Sequence, residues 1–220
     1  MKIEYISKKY KIEKFIERVT SHLREYKGRI IFKNPTLNSN SSDGEFSEYD
    51  MTIKCILNTS STYWIGVLAH EYAHFLQCIS ENKYWTDFQK KVADINNFDN
   101  IFKRGKNAEL LNNKKRLNLS SSIIKMELDC DKAAIKLINK YKLPVDKKEY
   151  SSKANIVLYK YLYWGKYGIW PSLLDRKTGK EIDYSKLKVS KLMHEEKYKS
   201  TKDIPDRIIY LFDANKFNIS

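Results

Sequence analysis

A chain of 220 residues, 42% of them hydrophobic, has the length and the apolar content for one globular domain with a real core. Forty-one Lys and Arg against 27 Asp and Glu give a formal charge of +14, yet Arg is scarce beside Lys and no compact run interleaves basic and aromatic residues with a recognisable nucleic-acid motif, so the positive charge lacks a reading head. Three widely spaced cysteines, Cys55, Cys78 and Cys130, exclude a disulfide framework and a paired-cysteine zinc knuckle, and they fit a reducing compartment. The charge then reads as a solvated, lysine-rich surface, with non-specific contact to nucleic acid as a further possibility.

The first residues scatter charge among apolar side chains and offer no signal-peptide core, and no later run has membrane-spanning length. The expectation is a soluble, cytoplasmic protein without a membrane partner. Ile12, Phe15, Ile16, Val19 and Leu23 recur at helical spacing and predict an amphipathic helix over about 10–26, closed by Gly28. Residues 29–33 are β-prone, 34–44 form an Asn/Ser-rich loop, and 49–57 read as a second strand, so at least two strands are expected. Within that strand Met51, Ile53 and Cys55 alternate with Thr52 and Lys54, the pattern of one buried and one wet face.

Residues 59–62 supply N-cap candidates for a helix over about 62–79, and another helix is expected over 84–95. A basic, Asn-rich connection over 102–118 carries no clear pattern. Ser120 to Ser122 are expected to cap a helix that runs to about 142, where Pro144 stops it. A further apolar helix is expected over 150–164, closed by Gly165, Gly168 and Pro171, and a last one over 205–212 with Pro205 at its first position. No repeat or low-complexity linker divides the chain, so 1–220 reads as a single domain: a core over about 49–142 and a helical, basic extension over 143–220.

The chemistry lies on the helix after the second strand. His70-Glu71-Tyr72-Ala73-His74 is a His-Glu-x-x-His pattern, and residues four apart stack on one face of a helix, a geometry suited to one zinc ion. Ile65, Leu68, Tyr72, Phe75 and Leu76 cluster on another side as a core face. Two of the chain's four histidines fall within the motif. Catalytic zinc takes three protein ligands and keeps one position for water, so a third donor is needed. Glu127 stands in the apolar stripe of Ile123, Cys130, Ala134, Leu137 and Ile138, where a carboxylate must be salt-bridged or bound to metal. Asp131, one turn on, is either a partner for the ring N–H of a ligating histidine or a solvent-facing charge.

At these residues the chain resembles the gluzincin metallopeptidases, and the stretch from Glu127 through Ile138 is more particularly similar to the ImmA/IrrE family. The resemblance covers about 49–142. It implies an α+β fold with a minigluzincin-like core, in which a small sheet packs on the metal-binding helix and the third-ligand helix, with an edge strand that binds extended peptide and a mostly helical C-terminal part. It also implies Zn2+ held by His70, His74 and Glu127, with Glu71 as general base and Asp131 behind a histidine ligand. Two departures accompany it: Ala133 stands where the family prefers an aromatic, and the connection from His74 to Glu127 is long. The function expected is a zinc metallopeptidase acting on a protein or peptide, with selectivity for one regulatory protein as one form of it. The alternative is a catalytically silent zincin-fold protein that binds nucleic acid or a protein partner through its basic surface. Candidates to stabilise the oxyanion are His194, Tyr159, Tyr161, Tyr163 and Tyr167, each of which also has a plain structural reading.

Overall fold

The computed structural model describes residues 3–35, 43–58, 61–93, 95, 111–171, 189, 192 and 195–214. Among them the fold is mixed α+β and mostly helical. In chain order come α1 (Ile3–Tyr10), α2 (Glu13–Glu25), β1 (Arg29–Lys33), β2 (Gly44–Ser47), β3 (Thr52–Ile56), α3 (Tyr63–Ile79), α4 (Lys83–Val92), α5 (Asn113–Lys140), α6 (Lys147–Tyr167) and α7 (Asp206–Ala214). The described chain groups into two compact units, 1–82 with 130–150 and 83–129 with 151–220.

In the first unit, the helix expected over 10–26 is α2, and a further helix, α1, precedes it. Lys11 takes a left-handed conformation (φ 55°), and the break lets both Ile6 and Ile12 reach the core. At the far end of α2 it is Lys27, not Gly28, that turns left-handed (φ 60°). Gly28 serves a different need: a Cβ there would run into the Met51 carbonyl.

The sheet has the order β1-β3-β2, with β3 parallel to β1 and antiparallel to β2. The segment expected as one strand over 49–57 is the turn and second arm of a hairpin. Met51 is left-handed in that turn (φ 50°), and the Ser47 hydroxyl donates to Asp50 Oδ1 at 2.6 Å. Ile53 and Cys55 are buried as expected, but so is Thr52, because β3 is the central strand. Lys54 stays at the surface and pairs with Glu45 across the sheet at 3.2 Å. The core joins Phe15, Val19 and Leu23 of α2, Ile53 and Cys55 of β3, Ile65, Leu68, Tyr72 and Phe75 of α3, and Ala134 and Ile138 of α5.

In the second unit, α5 begins at Asn113, well before the serines expected to cap it. Asn112 caps instead, its side chain accepting from Lys115 N at 2.9 Å. Ser120 and Ser122 lie inside the helix and donate to Tyr161 O (2.8 Å) and Asp87 Oδ2 (2.6 Å). Arg116, from the part of the basic connection that is described, donates to the carbonyls of Gly165, Lys166 and Leu111. The segment therefore continues into helix and staples the end of α6. Helix α6 runs through Gly165 and ends where Gly168 turns left-handed (φ 71°). Pro205 precedes α7 rather than starting it, and its carbonyl accepts from Ile208 N and Ile209 N. Ile124, Leu128, Ile156, Tyr159, Tyr163, Ile208 and Phe212 build this unit's core.

Candidate metal centre

Helix α3 follows β3 closely, as the sequence predicts, although Thr62 at its N-cap makes no side-chain cap bond. The helix buries Ile65, Leu68, Tyr72 and Phe75 on the core side. The four-residue spacing brings the His70 and His74 rings together, with centroids 4.6 Å apart and planes at 88°. Their Nε2 atoms lie 3.0 Å from each other.

Each ring is held by its other nitrogen. His70 Nδ1 is 2.9 Å from Asp131 Oδ1, and His74 Nδ1 is 3.0 Å from Gln77 Oε1. A carboxylate and an amide oxygen only accept, so both Nδ1 atoms carry the proton. The two Nε2 atoms face each other. Bare lone pairs at that distance repel; a proton or a cation between them removes the conflict, and two bonds of about 2.0–2.1 Å from one zinc ion span it. The residues present therefore fit a metal.

Asp131 is buried and also accepts from the Tyr150 hydroxyl at 2.7 Å. Burial, followed by the charge of Asp131, pushes the Tyr150 phenol well above its ordinary range, so it remains a neutral donor. At His70 burial disfavours the imidazolium, but the Asp131 carboxylate that accepts from Nδ1 outweighs it and raises the basicity of the ring well above the usual range.

Among the described residues, His70, His74 and Cys130 form a group whose donor atoms lie within 4.8 Å of one another. The Cys130 thiol donates to the His70 carbonyl oxygen at 3.2 Å and stands 3.7 Å from His70 Nδ1, the nitrogen already engaged by Asp131. It would have to turn away from that bond to serve as a ligand beside Nε2. Glu127 stands half-buried on α5, three residues before Cys130 and four before Asp131, so helical periodicity gives it the same side of that helix.

Glu71 is 7% exposed, and its carboxylate faces the edge strand: a Cβ built on Gly44 would lie 2.7 Å from Glu71 Oε1 and collide with Val67. Only a glycine lets β2 approach the acid this closely. Of the oxyanion candidates, Tyr159 and Tyr163 are buried in the second unit's core, Tyr161 is half-buried there and Tyr167 is 39% exposed. His194 lies outside the described residues. Gln77, Tyr150 and Gly44 escape the sequence reading. Gln77 had a usable signal, since it follows His74 by one helical turn; Tyr150 is 80 residues from His70 and only the fold joins them.

Comparison with known proteins finds no matching family model, no matching curated protein and no matching solved structure. The functional reading therefore rests on the chain itself.

Proposed function

We propose that the chain is a zinc-dependent peptidase of the gluzincin type, with His70, His74 and Glu127 as metal ligands and Glu71 as general base. One observation carries this reading: two imidazoles present their Nε2 atoms 3.0 Å apart while both Nδ1 atoms are tied back. When bound, zinc would act as a Lewis acid that polarises the scissile carbonyl and makes water acidic enough to attack near neutral pH. Asp131 and Gln77 accept from Nδ1 of the two rings and so turn the Nε2 of each toward the other. Glu71 takes the proton of the attacking water and delivers it to the leaving amine. Gly44 keeps the edge strand β2 against that carboxylate, a position from which the strand can carry an extended substrate past the base. A substrate restricted to one regulatory protein agrees with the resemblance to the ImmA/IrrE family.

Glu71→Gln tests the proposal. The amide keeps the shape of the carboxylate but cannot accept the proton, so folding and zinc content persist while turnover falls at least about 100-fold. The substrate is first identified by comparing proteome digests made with the two proteins. Equal cleavage by both would refute the mechanism.

A further inference from the structure

Behind the two imidazoles the structure holds a contact that the metal reading does not require. Tyr150 belongs to the first turn of α6, and that turn is set by Asp146, whose carboxylate accepts from Lys148 N (2.8 Å) and Glu149 N (3.2 Å). From there the ring lies against α3 at Gly66, where an added Cβ would come within 2.9 Å of Tyr150 Cδ2 and 3.3 Å of Val145 Cγ1. A glycine inside a helix costs about 1 kcal/mol relative to alanine, and here it opens the space for an aromatic ring one turn before His70. The hydroxyl then reaches Asp131 Oδ1 at 2.7 Å and stands 3.4 Å from His70 Nδ1. The oxygen that receives the Tyr150 O–H is the same one that receives the His70 N–H.

We propose that Tyr150 is a positioning residue for His70: by donating to the shared Asp131 oxygen, it fixes the carboxylate and, through it, the direction of the His70 ring. The inference builds on His70 as a metal ligand. A buried carboxylate with one donor can swing about its terminal torsion, which is broad and soft. Two donors converging on one oxygen from different elements, α3 and α6, remove that freedom. His74 Nδ1 is held by a different group, the side-chain oxygen of Gln77 at 3.0 Å, so the two rings are held by different partners.

That difference supplies the test. The chain has four histidines, so the Nδ1 protons of His70 and His74 are separable by nitrogen-15 NMR in the metal-free, folded protein. In Tyr150→Phe the His70 Nδ1 proton is expected to exchange with solvent faster than in the wild type while that of His74 is unchanged, and zinc affinity should fall about tenfold, the lower end for groups behind a ligand. Gly66→Ala keeps the hydroxyl but displaces the ring, and it should reproduce the same His70-selective change; it decides the matter if Tyr150→Phe does not fold. Two unchanged protons, or two that move together as in a general loosening, would overturn the inference. A wild-type protein that takes up no zinc yet shows the selective change would overturn the peptidase reading and leave the positioning role standing.

Discussion

At the scale of single residues, the zinc reading requires a third ligand beside the two histidines, and the chain offers two candidates. Glu127 has the chemistry expected of a third ligand, and Cys130 has proximity, but its thiol is committed to the His70 carbonyl. Zinc content separates them. His70→Ala and His74→Ala should lose the metal; Glu127→Ala should lower affinity strongly, while Cys130→Ser should retain about one zinc per chain. Elemental analysis of the four proteins reads the result, and full retention by Glu127→Ala would move the assignment to Cys130. The sequence made the His-Glu-x-x-His residues legible because one helix fixes their spacing. It also picked out Asp131, the buried acceptor of His70 Nδ1, by its spacing on another helix. It could not show Tyr150, which only the fold brings to His70 from 80 residues away.

At the scale of elements, apolar periodicity located most helices, and capping chemistry set boundaries that periodicity misses. Asn112 caps α5 eight residues before Ser120, and Ser120 and Ser122 instead bond to Tyr161 and Asp87. A hydroxyl inside a helix and one at its cap look alike in a sequence, since either can satisfy a backbone or tertiary partner. The Asp87 knot has a pH signature. Burial would raise its carboxyl, but hydrogen bonds from Lys91 and Ser122 prevail and hold it below the usual range. A carboxyl lowered on folding contributes stability that is present in full above its unfolded value of about 3.9 and is lost as pH falls through the folded value. Asp87→Asn should therefore be less stable than the wild type at neutral pH, by under about 1 kcal/mol because the group is partly exposed, and the gap should close in strong acid. Urea melts at pH 7 and pH 3 check it; a gap that is constant with pH would refute the linkage.

At the scale of the whole molecule, the +14 charge is the feature that composition displays most plainly and that the fold explains least. Charge governs association more than architecture. Among the described residues no helix is long and apolar enough to cross a membrane. Anionic macromolecules are the partners that a positive charge of this size favours. Binding to duplex DNA should be independent of sequence and should weaken steeply between 50 and 200 mM salt, on the order of 10³-fold if six phosphates are neutralised. Fluorescence anisotropy with unrelated duplexes measures this. A salt-insensitive, sequence-selective complex would favour the catalytically silent binding protein over the peptidase.

The glycine beside Glu71 has a consequence for how the chain can change over generations. Every single-base change in a glycine codon that alters the residue either installs a side chain or ends translation, so position 44 has no conservative neighbour in the genetic code. Any of those side chains would press on Glu71 and Val67 while leaving both histidines, Asp131 and Gln77 as they are. On the peptidase reading, one mutational step therefore separates an enzyme from a metal-loaded relative that no longer cuts, and lineages that have crossed it should be recognisable by a larger residue at 44 above an intact metal motif.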